Sequence, residues 1–251
     1  MARQRIQSLW VGPRLSVMEQ VSIASFLHHG HEYHLFTYGP VEGLPAGAVL
    51  EDARSILPDS MIFQYRDHAS YAGFSNYFRY KLLLERGGWW VDTDTVCLQP
   101  FDFDEPYVIA SQPTKDGREI PTASPIKAPA GSPAFAHAWE YCLSRRPEDL
   151  VWGETGPRLV ADVIGRYCLE QFRQPREVFC PLHPADWKRI VDPGAELRFG
   201  PPARAVHLWN ELWRREQWDK DQDYPPGCLY ESWKRQFLSP SAPSSGERRA
   251  R

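Results

Sequence analysis

The first forty residues combine two apolar segments of strand character with one helix. Residues 6–12 (IQSLWVG) are apolar and β-favouring and are closed by Gly-Pro, which predicts a buried strand. Residues 16–30 place apolar side chains at helical spacing between Ser16, with Glu19 completing a capping box, and Gly30 as C-cap. Residues 33–39 (YHLFTYG) alternate and end at glycine. This order is typical of the opening of a doubly wound α/β sheet.

The rest of the chain continues the alternation of helices and strands. Residues 39–74 are rich in Gly, Pro, Asp and Ser and predict a loop with one strand-like segment at 48–53. A helix is predicted from Ser75 as N-cap to Gly87, followed by a strand at 89–94 (WWVDTD). Further strands are predicted at 107–111, 177–182 and 204–209, and further helices at 132–146, 155–172, 210–218 and 229–238.

Composition narrows the class of protein. The 251 residues are 42% hydrophobic and 24% charged, which is typical of a soluble globular chain, and ten tryptophans favour a ligand surface. A net charge of −3 from interspersed acids and bases argues against nucleic acid as a partner. The five cysteines form no C-x-x-C pair and are expected to be reduced packing residues.

Segment composition predicts the domain organisation and the location. We expect one domain over residues 1–238 and a disordered, Pro/Ser-rich and basic tail over 239–251. No run approaches the roughly 20 apolar residues of a membrane span, and the polar start lacks the apolar middle of a signal peptide. We therefore expect no transmembrane segment and a cytoplasmic location, with peripheral association at the inner membrane face as a variant.

Two acids end the apolar run at 87–94. Residues two apart on a strand share a face, so the carboxylates of Asp92 and Asp94 are predicted to point the same way near the strand's carboxyl end. Like charges this close favour a hard divalent cation such as Mg²⁺ or Mn²⁺ between them. A plain polar turn is the alternative reading of the short D-x-D motif.

The wider segment 75–100 resembles the signature of the D-x-D sugar-transferring glycosyltransferases. That group includes the initiating α-mannosyltransferases of fungi, the α1,4-galactosyltransferases and the glucosylating domains of large bacterial toxins. The positions that match its pattern are Ser75, Arg79, Tyr80, Leu83, Gly87, Gly88, Asp92, Asp94, Leu98 and Pro100. The resemblance implies a single GT-A (Rossmann-like) nucleotide-diphospho-sugar transferase domain with a mixed central sheet. One position departs, because Asn76 stands where the family has a sugar-binding Asp.

The same resemblance extends to three other segments. Trp10 stands where the family stacks a tryptophan on the nucleotide base, although a buried core Trp is the alternative. The Thr-Gly-Pro at 155–157 resembles a segment that places a helix by the acceptor side, with a simple helix cap as the alternative. Residues 206–213 resemble a carboxyl-terminal H-x-W-x-x-S-W motif, in which His207 would complete the metal site, and Leu212 replaces its phosphate-binding Ser. The remaining histidines, including the HHGHEYH cluster, have no ligand spacing.

Together these features predict a metal-dependent glycosyltransferase that uses Mn²⁺ or Mg²⁺, and the resemblance implies that it retains the anomeric configuration and prefers a UDP-sugar. It would move a sugar from a nucleotide-sugar donor, UDP-sugar favoured over GDP-sugar, to a hydroxyl of a glycan, glycolipid or other acceptor, in glycan or polysaccharide biosynthesis. Glu154 is the candidate nucleophile if a double displacement occurs. The predicted catalytic residues are Asp92, Asp94 and Glu154; the donor contacts are Trp10, Asn76, Arg79, Tyr80, Asp92 and Trp213; the metal ligands are Asp92, Asp94 and His207. A sugar-nucleotide hydrolase and a non-catalytic sugar-nucleotide-binding protein remain as alternatives.

Overall fold

The computed structural model describes residues 4–66, 69–114 and 116–239. Its strands are β1 Arg5–Trp10, β2 Glu32–Thr37, β3 Val49–Asp52, β4 Gly88–Trp90, β5 Thr95–Cys97, β6 Val108–Pro113, β7 Glu119–Ala128 and β8 Ala205–His207. Its α-helices are α1 Val17–His28, α2 Ala72–Arg86, α3 Pro133–Leu143, α4 Leu159–Arg166, α5 Arg176–Phe179, α6 Asn210–Arg215 and α7 Leu229–Leu238. Short 3₁₀ turns lie between them, and one π-helical turn, Glu154–Arg158, leads into α4.

Six strands form one central sheet in the order β3-β2-β1-β4-β7-β6. The first four run parallel, whereas β7 is antiparallel to β4 and β6 is antiparallel to β7. The sheet is therefore mixed, as predicted. The other two strands, β5 and β8, form a separate antiparallel pair.

Helices cover both faces of the central sheet. On one face Phe26 of α1 packs in a cluster with Ile6 and Trp89, and on the other Phe78 of α2 packs in a cluster with Trp90. The two adjacent tryptophans of β4 thus fill opposite layers of the core, and both are buried. This explains the continuous apolar run in the sequence, because a strand that is covered on both faces has no polar alternation.

The glycine pair before β4 allows a tight passage from helix to strand. Gly87 has a φ of +62°, and a Cβ added there would lie 2.9 Å from the carbonyl oxygen of Ala128. A side chain at this position would be strained by the positive φ and would also clash with the backbone of Ala128. The amide of Gln7 donates to the Gly87 carbonyl at 2.7 Å, which fixes the start of β4 against β1.

The register of β1 and β4 places their carboxyl ends side by side. Gln7 pairs with Trp90, so Trp10 at the end of β1 and the turn after Trp90 leave the sheet at the same edge. Strands β2 and β3 lie on one side of β1, and β4 lies on its other side. The strand order therefore reverses between β1 and β4, which makes their carboxyl ends the switch point of the parallel part of the sheet. Open α/β sheets bind their ligands at such a point.

Several predicted boundaries need correction. The α2 helix begins at Ala72, with Tyr71 at its cap, so Ser75 lies inside the helix and is not its N-cap. The strand β4 ends at Trp90, so the two acids lie in a turn and not on a strand. Residues 177–182 were predicted as a strand, but the chain forms the single helical turn α5 there.

The ten-residue strand β7 was not predicted, because it contains Pro121 and Pro125. Proline cannot donate to a sheet ladder and argues against a central strand. The structure accommodates both prolines because β4 pairs only with residues 126–128 of β7, and the pairing with β6 is irregular between Ile109 and Ser111.

The other predicted elements are present with shifted ends, and the largest difference is in the helix predicted over 155–172, of which only Leu159–Arg166 is α-helical. The capping box of Ser16 and Glu19 forms as predicted, but α1 ends at His28, so its C-cap is His29 and not the predicted Gly30. Most of the predicted tail lies outside the described residues, and so does His68. Among the described residues, no helix is long and apolar enough to cross a membrane.

Candidate active site

Asp92 lies in the turn after β4, and three groups hold it. Its Oδ1 accepts a hydrogen bond from Nη2 of Arg79 at 2.6 Å and another from the indole of Trp90 at 2.8 Å. Its backbone N–H donates to the hydroxyl of Ser124 at 2.7 Å. The Oδ2 atom takes no part in these contacts, and the side chain remains 31% exposed. The carboxylate is therefore fixed on one side and open on the other.

Arg79 is the buried partner that orients Asp92. It lies on α2 with 3% of its side chain exposed, and its guanidinium stacks 5.0 Å from the ring centroid of Trp90. Its Nη1 donates to Oδ1 of Asn76 at 2.6 Å, one helical turn earlier. A planar guanidinium can serve both acceptors at once with fixed geometry. Arg79 therefore joins the helix to the D-x-D turn.

Asn76 extends this chain of contacts to a distant segment. Its Nδ2 donates to the hydroxyl of Thr155 at 3.2 Å, and the Tyr80 hydroxyl donates to the Thr155 carbonyl at 2.7 Å. Thr155 is wholly buried and lies in the π-helical turn that precedes α4. The Thr-Gly-Pro segment is thus held against α2 beside Asn76. Its sequence separation of 79 residues from Asn76 leaves no signal by which pattern alone could pair the two residues.

Asp94 is held by the carboxyl-terminal part of the chain. Its Oδ2 accepts from Nε2 of His207 at 3.1 Å and from the backbone N–H of Asn210 at 2.9 Å. The strand pair β5 and β8 makes this possible, because Thr95 lies opposite His207 in the ladder. The carbonyl of Asp94 also accepts from the N–H of Leu208 at 2.8 Å. The predicted association of His207 with the motif is therefore direct.

The buried pair of Asp94 and His207 favours its charged form. Burial alone would raise the pKa of the Asp94 carboxyl, but the positive charge and hydrogen bond of His207, with the Asn210 N–H, lower it below its ordinary value. Burial alone would lower the pKa of His207, but the charge and hydrogen bond of Asp94 raise it well above its ordinary value. Asp94 therefore carries its negative charge near neutrality.

The predicted three-ligand metal set is not assembled in this structure. In the described part of the chain, no group of three or more His, Cys, Asp and Glu side chains is placed to hold a metal ion. The physical reason is that Nε2 of His207 bonds to Asp94, while Asp92 is drawn towards Arg79. The two carboxylates still fit a hard cation, because Oδ2 of Asp92 and Oδ1 of Asp94 lie outside these contacts. Mg²⁺ and Mn²⁺ sites commonly use one or two carboxylates and complete their shell with phosphate oxygens and water.

Trp10 occupies a position suited to a nucleotide. It is half-buried at the carboxyl end of β1, and its indole N–H donates to the carbonyl of Arg14 at 3.1 Å. The ammonium of Lys220 lies 5.9 Å from its ring centroid. The ring is therefore fixed in direction and partly accessible.

Three other predicted site residues make contacts within the protein. Trp213 and Tyr80 are wholly buried; Trp213 packs 5.0 Å from Trp187 and donates to the Leu208 carbonyl. The carboxylate of Glu154 accepts from the Tyr141 hydroxyl and lies 3.1 Å from Nε of Arg145. In this structure these three side chains support the elements around the site, and direct contact of Trp213 or Tyr80 with a donor would require these buried side chains to move.

Comparison with known proteins agrees with this architecture. Residues 17–113 match a family model described as the glycosyltransferase sugar-binding region containing the DXD motif. A solved structure titled PaToxG Glycosyltransferase superimposes with a TM-score of 0.51 and 17% identity, over 66% of this chain and 69% of that chain. Among curated protein sequences no significant match is found. Residues 17–113 thus match the DXD sugar-binding region of glycosyltransferases, and the chain has the fold of a solved glycosyltransferase, as the resemblance in its sequence predicts.

Proposed function

We propose that this enzyme transfers a sugar, with retention of anomeric configuration, from a nucleotide-sugar donor to an acceptor hydroxyl, and that it requires Mn²⁺ or Mg²⁺. We favour a UDP-sugar over a GDP-sugar. The acceptor would be a glycan, a glycolipid or another hydroxyl compound, in glycan or polysaccharide biosynthesis. Residues 1–238 would act as one cytoplasmic domain, with peripheral contact at the inner membrane face as a variant.

One observation carries the proposal: the D-x-D turn and Trp10 leave neighbouring parallel strands at the same edge of the sheet. A base stacked on Trp10 would bring the diphosphate of the same donor towards Asp92 and Asp94. Stacking on one aromatic ring contributes about 1 to 3 kcal/mol. The side chain of Arg79 orients Asp92 through a hydrogen bond, so the D-x-D turn is organised before a donor binds.

The chemistry of the residues fits departure of a diphosphate. Asp92 and Asp94 would hold a divalent cation, which when bound neutralises charge on the leaving diphosphate. Asp94 is kept ionised by His207, and Asp92 is kept in place by Arg79 and Trp90. The acceptor would attack from the leaving-group face and lose its proton to a donor phosphate oxygen, so no protein base is needed. Glu154 would be required only for a double displacement, and its ion pair with Arg145 weakens it as a nucleophile.

A donor screen tests the proposal. The purified protein is incubated with UDP- and GDP-sugars, with Mn²⁺, with Mg²⁺ and with EDTA, and nucleotide release is measured. We expect release from at least one UDP-sugar, lost in EDTA and restored by adding the cation. Absence of release from every donor, with or without added acceptors, would refute the proposed activity and leave a sugar-nucleotide-binding protein. Free sugar as the sole product, with every acceptor class supplied, would identify a hydrolase.

A further inference from the structure

We propose that Trp209 is a positioning residue for the divalent cation, because it fixes both hydrogen-bond donors to one oxygen of Asp94 and leaves the other oxygen for the metal. This inference rests on the proposed metal-dependent transfer and adds to it a residue that acts through Asp94. Trp209 stands between the end of β8 at His207 and the start of α6 at Asn210, and it is 9% exposed.

The backbone of Trp209 is in the left-handed region, with a φ of +58° and a ψ of +46°. A bulky side chain is strained there, because its Cβ lies too close to the following carbonyl oxygen. Among the residues that the structure describes, three others besides glycine have a positive φ, and all three are exposed: Ala69, Cys168 and Gln217. Trp209 is buried. Strained conformations of this kind persist only where the surrounding contacts hold them, and they cluster at functional sites.

The left-handed conformation directs a backbone N–H at Asp94. The N–H of Asn210 donates to Oδ2 of Asp94 at 2.9 Å, while the N–H of Leu208 donates to the Asp94 carbonyl at 2.8 Å. The Asn210 N–H lies in the same rigid peptide plane as the Trp209 carbonyl, so its direction is set by the ψ of Trp209. An extended backbone at Trp209 would therefore turn this N–H away from the carboxylate.

The ring of Trp209 supports the second donor to the same oxygen. It packs against the imidazole of His207 at a centroid distance of 4.2 Å, and Nε2 of His207 is bonded to Oδ2 of Asp94 at 3.1 Å. The indole N–H of Trp209 donates to the Leu182 carbonyl at 3.1 Å, which anchors the ring. The anchored ring thus limits the orientations that are open to the imidazole.

The result is a carboxylate with a fixed direction. Both donors bond to Oδ2, so Oδ1 of Asp94 takes no part in these two hydrogen bonds. A ligand that is already held in its binding orientation loses less conformational freedom when the cation binds. A variant that loosens Trp209 should therefore weaken binding of the metal and leave the nucleotide contact at Trp10 unchanged.

The experiment measures Mn²⁺ binding by calorimetry in the presence of saturating UDP, and nucleotide release as a function of Mn²⁺ concentration. We expect Trp209→Ala to raise the Mn²⁺ dissociation constant about tenfold, the equivalent of about 1.4 kcal/mol. Because Asp94 is misplaced but still present, kcat at saturating Mn²⁺ should stay within about twofold of the wild type. The affinity for UDP in EDTA should not change.

Trp209→Gly separates the backbone from the ring. Glycine adopts a positive φ without strain, so this variant should bind Mn²⁺ more tightly than Trp209→Ala although it removes more of the side chain. A residue that only fills space predicts the opposite order, because the glycine variant leaves the larger cavity.

Two controls test packing and strain in general. Trp233→Ala removes a buried tryptophan on α7 that belongs to the same apolar cluster as Trp209. It should lower the melting temperature and leave the Mn²⁺ constant unchanged. Gln217→Gly relieves a positive φ of 56° at an exposed position after α6, and it should leave the Mn²⁺ constant unchanged as well.

An unchanged Mn²⁺ constant in a folded Trp209→Ala variant, or an equal increase in Trp233→Ala, would overturn the inference and leave the metal-dependent transfer standing. Equal impairment of the glycine and alanine variants would also overturn it, because the backbone conformation would then have no effect. If Trp209→Ala does not fold, Trp209→Phe decides. It keeps a ring but loses the N–H that bonds to Leu182, so we expect an about threefold higher Mn²⁺ constant, and an unchanged one contradicts. A wild type that binds neither Mn²⁺ nor Mg²⁺ beside UDP would refute the metal requirement together with this inference.

Discussion

Arg79 and Asp92 form an ion pair at 2.6 Å in which the guanidinium is almost fully buried and the carboxylate is partly open. The same guanidinium holds Asn76, and Asn76 holds Thr155. The consequence is that three separate segments of the chain, α2, the D-x-D turn and the turn before α4, are joined through the connected side chains of Arg79 and Asn76. Geometry at the turn therefore depends on a residue that contacts solvent very little.

Arg79→Lys tests this dependence. Lysine keeps the charge but lacks the planar fork, so it cannot serve Asn76 and Asp92 together with the same geometry. We expect a loss of folding stability of about 1 to 3 kcal/mol, since a buried acceptor loses its partner. Nucleotide release should fall by about tenfold or more. Denaturant unfolding and the donor assay measure the two effects, and full activity in a destabilised variant would contradict the positioning role. Arg86→Lys on the same helix is the control, because the Arg86 guanidinium contacts Ser55 and Glu51 and not the D-x-D turn.

A second prediction concerns Asp94. Asp94→Asn preserves shape and still accepts from the Asn210 N–H, but it removes the charge that a hard cation needs. We expect nucleotide release to fall to background at every Mn²⁺ concentration. The melting temperature should decrease modestly, because His207 loses its buried counter-charge. Asp104→Asn, at an exposed position, should behave as the wild type in both measurements. Release near the wild-type rate by Asp94→Asn would refute the metal assignment.

The sequence predicts the centre of the site better than its surroundings. Gly87, the buried tryptophans of β4 and the two acids are adjacent in the chain, so local pattern is enough to place them at the end of a central strand. The capping box of Ser16 and Glu19 is equally local and forms as predicted. At these positions the signal depends on neighbouring residues alone, and pattern and structure agree, whereas the equally local predictions of a Ser75 N-cap and a strand at 177–182 are wrong.

Contacts between distant segments could not be predicted in this way. Asp94 and His207 are 113 residues apart, and only the ladder between β5 and β8 brings them together. The prediction that His207 binds a metal correctly placed this residue beside the D-x-D motif. The ladder between β5 and β8, however, directs its Nε2 towards Asp94. Similarly, the sequence pattern does not predict β7, because its prolines argue against a strand. The irregular pairing of β7 with β6 accommodates them.

A third prediction concerns the residue that departs from the family. In Asn76→Asp, the new carboxylate can still accept from Arg79 and can accept a hydrogen bond from the Thr155 hydroxyl, so the fold should persist. It would also compete with Asp92 for the Arg79 charge. We expect the ranking among UDP-sugars to change while the affinity for UDP stays within about twofold. Competition assays with a donor panel and calorimetry with UDP measure the two quantities.

The control for Asn76→Asp is Thr155→Val, which removes the partner of the Asn76 amide and keeps the shape of the side chain. It should loosen the orientation of Asn76 without adding a charge, and so alter the sugar ranking less than Asn76→Asp does. An unchanged ranking in Asn76→Asp would mean that this side chain does not influence the sugar.

The last prediction separates a binding tryptophan from a structural one. Trp10 is half-buried at the carboxyl end of β1, whereas Trp213 is wholly buried against Trp187 and Tyr230. If Trp10 stacks on the base, Trp10→Ala should weaken UDP binding by about 1 to 3 kcal/mol, the contribution of one aromatic–base stack. Its stability should fall by less than that of Trp213→Ala, for which the cavity costs roughly 3 to 5 kcal/mol.

Calorimetric titration with UDP and a thermal melt of both variants measure these effects. The pattern that supports the assignment is a large loss of UDP affinity with a small change in melting temperature for Trp10→Ala, and a large decrease in melting temperature for Trp213→Ala. The physical reason is that truncating a partly accessible ring removes few packing contacts with the protein but can remove a contact with the ligand. Truncating a ring that is enclosed on every side removes many packing contacts. Unchanged UDP affinity in a folded Trp10→Ala variant would place the base elsewhere on the carboxyl edge of the sheet.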